Sequence, residues 1–389
     1  MGFTASLDMG SEKMVMALAS TENNACRLTG IKIVASQGIE RGIVKDKEKV
    51  RACIRGLMSE LLKERDVDVM IVALSGDVLR ISERRITVPL QKKVVEQNDL
   101  LRAEQRCIDG FEEGHDELVD VIPVAYSIDK GDLIADPLGR SGRHLEVTYQ
   151  VYAAGCDYLE GIRKLFDGTG IGEVCFSPAV RAYSEAFDVE KVKKDFALVD
   201  FGAMKINVVL FRDGMLEYEA CLPLGAHSID NDIMKAFALS GGQARKLKHE
   251  YGQALRSACK NKKLQIPDTR LTLESRDLAM VIQSRAEELL EGVVYQLQSW
   301  GFDEPEDEIL LTGGGSRLQD IDTLLNRLSG HRVGRVIAKG IHTTREEVLH
   351  TPEYLVALGL LLSDRQAPQE TKGSLGGKIT KGLKGIFGI

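Results

Sequence analysis

The 389-residue sequence predicts a mixed α/β fold of two similar halves facing a central cleft. A strand–turn–strand unit opens the chain as FTASLD, MGSEK and MVMALA. It returns two-fifths of the way along as FALVDFGAMKINVVLF, followed by MLEYEACLP. A further apolar strand ending in a glycine turn, DEILLTGGGSRL, comes later in the chain. One repeated supersecondary unit implies an internal duplication in which each half lends a turn to the cleft; a fold alone carries no function.

In chain order, the first pair of strands is followed by a third, TGIKIVAS, and by an amphipathic helix over roughly 46–65. VDVMIVALSG then has the apolar, β-branched content of a buried strand. Residues 83–162 change character, with polar loops and the segment IADPLGRSGRHLEVTYQVYAAG. Two long helical stretches are expected over 226–259 and 273–300. A helix start is read at SRLQDI and another helix around 352–363. DRQAPQETKGS is a polar linker, and LGGKITKGLKGIFGI forms a distinct end.

The length allows two or more domains with real cores. At 43% hydrophobic and 28% charged, the composition is that of a soluble globular protein. The net charge of -7 argues against a general nucleic-acid binder. Seven cysteines without a CxxC pair and seven histidines without HExxH spacing argue against zinc and a disulfide framework, and fit a reducing compartment. No apolar run is long enough to span a bilayer and no secretory signal opens the chain, so a cytoplasmic location is expected. MGFTAS matches a loose myristoylation pattern but reads better as a buried first strand.

Two turns have the chemistry to meet phosphate. In LDMGSEK, Asp8 ends a strand, Gly10 allows a tight turn and Ser11 offers a hydroxyl and an N–H. Successive N–H groups in such a turn make a concave anion site. A plain hairpin with Asp-x-Gly as its turn is the other reading. In LLTGGGSRL, Gly313, Gly314 and Gly315 let the backbone approach a ligand closely; the alternative is a flexible connection.

LDMGSEK, LVDFG, LPLGAHSIDNDI and ILLTGGGSRL, in this order, resemble the phosphate-1, phosphate-2 and adenosine segments of the actin/Hsp70/sugar-kinase superfamily. IADPLGRSGRHLEV and ESRDLAMVIQSRAEELLEGV, the latter with Arg285 and Glu288, resemble the bacterial cell-division family FtsA. The likeness runs from residue 4 to about 362, and the tail adds to it. It implies an actin-like fold in which an SHS2-type subdomain 1C replaces actin's 1B. Subdomain 1A would comprise 1–82 and 163–195, 1C 83–162, 2A 196–225 and 304–362, and 2B 226–303. A linker over 363–374 would lead to a membrane-targeting amphipathic helix over 375–389.

The same resemblance implies a nucleotide site of Asp8, Gly10, Ser11, Lys13, Asp200, Gly202, Lys205, Asn207, Gly225, Lys248, Gly313, Gly314, Gly315 and Arg317. The ligand would be ATP, with Mg²⁺ held through water by Asp8 and Asp200. Implied partners are the C-terminal peptide of FtsZ at 2B, further copies of the chain in a filament, other division proteins at 1C and an anionic membrane surface. The implied location is the cytoplasmic side of the membrane at the division site.

The chain departs from that family at the second phosphate turn, which reads Ala203-Met204-Lys205-Ile206-Asn207. Lys205 and Ile206 stand where hydroxyl residues are expected, and Asn207 replaces a carboxylate. An amide is a poor proton acceptor and a poor partner for hydrated Mg²⁺. Because positioning and charge neutralisation supply most of phosphoryl-transfer catalysis, hydrolysis is expected to be weak or absent, and no catalytic residue is assigned. Lys205 would set a positive charge against the β/γ-phosphates, partly replacing the metal, or be a solvated turn residue. Arg245 stands where the family has a glutamate near the adenosine, Lys248 is retained, and Arg140 replaces a frequent methionine in the 1C motif.

On a wheel of about 100° per residue, Leu375, Ile379, Leu383, Ile386, Phe387 and Ile389 share one side of the tail. Lys378, Lys381 and Lys384 share the other. The intervening glycines weaken the helix in water by about 1 kcal/mol each relative to alanine. Such a segment folds where an apolar phase meets anionic headgroups, unless it docks on its own core. Roughly 1.5–3 kcal/mol per fully buried side chain and about 1 kcal/mol per lysine hold one tail marginally. A row of tails on a filament gains from effective concentration. The expected protein is an ATP-binding, polymerising adaptor that tethers FtsZ filaments to the membrane. The alternatives are a PilM-like pilus-assembly homologue, and an ATP-hydrolysing chaperone or small-molecule kinase of the same fold.

Overall fold

A computed structural model describes residues 2–22, 25–62, 65–112, 114–186, 195–304 and 306–363. The chain opens with β1 (Phe3–Met9), antiparallel β2 (Lys13–Glu22) and antiparallel β3 (Ala25–Ala35). Alternate residues of the first two strands, among them Ala5, Leu7, Met14 and Met16, are buried on one face. The short ladder of β4 (Ile39–Glu40) and β5 (Ile43–Val44) leads to α1 (Lys47–Leu61). Asp46 caps α1 by accepting from the Lys49 N–H, and Val50, Ile54, Leu57, Met58 and Leu61 form its buried stripe. The helix stops with that stripe, short of the expected 65.

After β6 (Val69–Leu74), which runs parallel to β1, comes an inserted unit. It comprises β7 (Arg80–Pro89), α2 (Gln97–Asp109), β8 (Asp116–Ile128) and β9 (His144–Gly155). Its three strands form an antiparallel sheet in the order β7-β9-β8. Leu100, Ala103 and Cys107 of α2 pack against Val121, Val147 and Tyr149 of that sheet in one core. The polar loops expected here are thus joined by long strands. The first half then resumes with α3 (Cys156–Arg163), β10 (Glu173–Pro178) and α4 (Ala179–Ala186).

The second half repeats the opening as β11 (Phe196–Phe201), β12 (Ile206–Arg212) and β13 (Met215–Leu222). It continues through α5 (His227–Phe237), α6 (Gly241–Tyr251), the hairpin of β14 (Lys263–Gln265) and β15 (Thr272–Glu274), and α7 (Ser275–Ser299). The helical stretch expected over 226–259 is therefore two helices. Ala238 is left-handed at φ 52 and ends α5, and Ser240 and Gln243 cap α6 reciprocally. A side chain at Gly252 would lie 2.3 Å from the Lys248 carbonyl, where the chain leaves α6.

β16 (Glu308–Thr312), α8 (Ile321–Ser329), β17 (Arg332–Arg335), β18 (Ile341–His342) and α9 (Leu355–Ser363) complete the described chain. The helix expected from SRLQDI begins only at Ile321, because Gly314–Arg317 first forms a 3₁₀ turn.

The six-stranded sheet runs β10-β6-β1-β2-β3-β18 and the five-stranded sheet β17-β16-β11-β12-β13. In both, two parallel pairings are followed by two antiparallel ones, so the predicted duplication is present in the strand order itself. The chain then returns to the first half: β18 pairs with β3, and α9 packs on α4, β1, β2 and β6. α9 is apolar on nearly every side, as a helix enclosed in a core must be. A side chain at Gly359 would lie 2.0 Å from the Ala182 carbonyl of α4.

Candidate functional site

The duplication brings Asp8 and Asp200 to matching places, each one residue before the end of its strand. Asp8 lies opposite Val15 and Asp200 opposite Asn207. The turns that follow are too tight for side chains at their glycines. A Cβ at Gly10 would sit 2.6 Å from the Lys13 carbonyl, and one at Gly202 2.8 Å from that of Lys205. Between the turns lies a cleft of about 510 Å³, within the range of small-molecule sites.

The floor of the cleft is acidic. Burial, reinforced by the negative charge of Asp200 and opposed by Lys205, pushes Asp8 up to about 7. Asp200 is also raised, chiefly by burial. The Tyr183 hydroxyl donates to Asp200 Oδ2 at 2.6 Å and accepts from the Asn207 amide at 3.1 Å. Lys205 reaches across to the first half, where its ammonium donates to the Ser75 carbonyl at 3.0 Å and to the Ser75 hydroxyl.

Farther along the cleft, Lys248 donates to Asp230 Oδ2 at 2.8 Å and to the Ala226 carbonyl at 3.0 Å, in a pair almost wholly buried. Lys13 and Arg317 share Glu353 Oε1 at 2.9 and 2.6 Å. Burial raises the Glu353 carboxyl, but these two cations outweigh it and hold the group below its ordinary value. At the rim, Arg245 Nε lies 3.4 Å from Glu12 Oε1, joining α6 to the first turn.

Two of the three glycines after β16, Gly313 and Gly315, are a packing requirement, while a Cβ at Gly314 would meet only Glu353 Cγ at an ordinary 3.8 Å. Gly313 has φ +78, and a Cβ there would lie 2.2 Å from Asp200 Oδ1. One at Gly315 would meet the Phe201 ring at 2.7 Å. Of the predicted nucleotide residues, Asp8, Gly10, Ser11, Lys13, Asp200, Gly202, Lys205, Asn207, Lys248, Gly313, Gly314, Gly315 and Arg317 all line the cleft. Gly225 stands behind it, where a Cβ would lie 2.7 Å from the Ala203 carbonyl, and so supports the second turn.

Sequence reasoning missed Ser75, Tyr183 and Glu353, which arrive from the loop after β6, from α4 and from the turn before α9. None belongs to a motif; only the packing of distant segments brings them in. Asp230 lay unremarked inside LPLGAHSIDNDI. In the helical layer, Arg285 of α7 bonds both Asp232 of α5 and its neighbour Glu288.

The expected tail set of Leu375, Lys378, Ile379, Lys381, Leu383, Lys384, Ile386, Phe387 and Ile389 lies outside the described residues. Among the described residues, no helix is long and apolar enough to cross a membrane.

A nucleotide fits this cleft by size, by its glycine-lined turns and by the cations Lys13, Lys205, Lys248 and Arg317. A directly held Mg²⁺ does not. No group of three His, Cys, Asp or Glu side chains gathers among the described residues. Tyr183 occupies one oxygen of Asp200, and the charge of Lys205 acts on both cleft carboxylates.

The profile described as cell division protein FtsA matches residues 197–359, and that of the SHS2 domain inserted in FtsA matches residues 76–153. Together they cover more than half of the chain. Over 370 residues the chain is 25% identical to the cell division protein FtsA of Bacillus subtilis (strain 168), covering 92% of this chain and 82% of that protein. Against the cell division protein FtsA of Escherichia coli (strain K12) it is 24% identical over 373 residues, 91% of this chain and 88% of the other.

Among solved structures, the PilM-PilN type IV pilus biogenesis complex contains a chain similar at TM-score 0.66 and 22% identity, covering 92% of this chain and 97% of its own. MreB 5 of Spiroplasma citri bound to AMPPNP gives 0.54 at 10% identity, covering 92% and 95%. At such identities these two likenesses establish the actin-like fold alone.

Proposed function

We infer the function of this chain from one premise: it belongs to the FtsA family of actin-like cell-division proteins. We propose that it binds ATP in the cleft as a structural clasp, assembles with further copies of itself, and tethers FtsZ filaments to the cytoplasmic face of the membrane. The observation that carries this reading is the place of the insertion. The β7-β9-β8 sheet enters between β6 and α3, over the same stretch that the FtsA-specific SHS2 profile matches.

Weak hydrolysis is supported by the cleft floor. Asn207 spends its amide on Tyr183, and Tyr183 spends its hydroxyl on Asp200. Neither offers a carboxylate to take the proton of an attacking water. The cleft is suited to gripping a triphosphate and poorly equipped to cleave one.

Liposome pelleting tests the tether. The full chain with ATP should carry an FtsZ C-terminal peptide down with anionic vesicles, and a variant ending at residue 374 should not. Equal pelleting by both forms removes the membrane role. Binding of a PilN-type peptide in place of the FtsZ peptide would move the assignment to pilus assembly. A steady-state ATPase rate of roughly 1–100 per second would make the chain an enzyme.

A further inference from the structure

Given the ATP-binding reading above, we propose that the Lys205 ammonium stands in for a divalent cation, so that this chain binds its nucleotide without Mg²⁺. Lys205 is half-buried and aimed across the cleft by a specific anchor, the carbonyl and hydroxyl of Ser75. Gly42 clears space for the ammonium: a Cβ there would lie 3.3 Å from it, and the φ of +84 disfavours a side chain as well.

An ammonium has three donors. Ser75 takes two and leaves one for the cleft. The positive charge acts on both Asp8 and Asp200, the carboxylates that would otherwise draw a metal ion in. Mg²⁺ requires an octahedral shell of oxygens and gives up its waters reluctantly. Here it would have to settle beside a fixed positive charge, with Asp200 already bonded to Tyr183 and Asn207 offering no carboxylate. A lysine ammonium needs only acceptors, and the β/γ-phosphate oxygens provide them.

The test is equilibrium binding of ATP by the full chain, with Mg²⁺ and separately with EDTA. The wild-type affinity should agree within about threefold between the two conditions. Lys205→Met should lose roughly tenfold to a hundredfold in EDTA and regain part of it when Mg²⁺ is added. Lys205→Arg should remain indifferent to the metal. A wild-type loss of about tenfold or more in EDTA overturns the proposal, and so does a Lys205→Met chain that binds as the wild type does in both conditions. Should Lys205→Met fail to fold, the wild-type comparison still decides. Failure of the wild type to bind ATP in either condition overturns the ATP reading itself, a result distinct from metal dependence.

Discussion

Asn207 donates its side-chain amide to the Tyr183 hydroxyl over 3.1 Å, and that hydroxyl donates onward to Asp200 at 2.6 Å. The chain of bonds has one direction, because Asp200 can only accept while ionised. With its one proton given to Asp200, the Tyr183 oxygen can only accept on its other side. An amide at 207 meets that need and a carboxylate does not. The amide that the second turn carries is the group this neighbourhood requires.

Asn207→Asp should accordingly destabilise the chain by about 2–4 kcal/mol, the scale of a buried carboxylate left without a partner. The new acid would be pushed up by burial and by Asp200, so the folded chain would hold its proton longer than the unfolded chain. Stability would then fall as pH rises. Denaturant melts at pH 5.5 and 8 should show the larger loss at pH 8; an equal loss at both would contradict the bonding direction.

The wild type should show a milder form of the same slope. Asp8 and Glu219 are both raised to about 7, each mainly by burial. For a carboxyl raised on folding, the stabilisation is complete below the unfolded value and is lost as pH climbs through the folded one. The ligand-free chain should melt at a lower temperature at pH 8 than at pH 5.5. The double substitution Asp8→Asn, Glu219→Gln should make the slope shallower and leave the part due to Glu104, which burial raises to about 8. Glu353 acts in the opposite sense, but only at acid pH, because its carboxyl is held low.

Gly313→Ala should cost more than 2 kcal/mol, about twice the usual glycine effect, since it joins positive φ to a 2.2 Å collision with Asp200. Gly56→Ala provides the contrast. Gly56 lies inside α1, where a Cβ would meet nothing within 4 Å, so the change should stabilise by about 0.5–1 kcal/mol. Thermal melts of the two variants should move in opposite directions.

Arg181 holds the insertion to the first half. It bonds Asp120 twice, at 2.9 and 2.8 Å, and the Val121 carbonyl at 3.2 Å, and only 3% of it is exposed. Arg181→Leu would strand Asp120 and remove the main cation near Glu104, which burial already lifts to about 8. A loss of about 3–5 kcal/mol is expected. Faster hydrogen exchange should concentrate in β8 and α4, and exchange confined to α2 would place the hinge elsewhere.

Much of the site was legible because its residues sit in local motifs. Asp8, Gly10, Gly202 and Gly313 announce themselves through strand–turn spacing that depends on neighbours only a few positions away. Tyr183 and Glu353 carried no such signal. Tyr183 lies in an ordinary amphipathic helix and Glu353 in a short turn, and each reaches the cleft only after sheets far apart in sequence have stacked. The break between α5 and α6 was missed for a related reason. Leu239 and Ser240 interrupt an otherwise helical pattern without a proline, and the decisive event is the left-handed Ala238.

The duplicated α/β frame and the two glycine turns facing the cleft are written in short-range periodicity and glycine placement, and the family in short motifs that resemble its own, so the order of residues was enough to point to them. The return of α9 to the first half, the anchoring of Lys205 on Ser75 and the link from Asn207 through Tyr183 to Asp200 emerged only in the packed molecule. Those outcomes depend on where distant backbones meet, and the free energy of a buried hydrogen bond or ion pair exists only once that meeting excludes water.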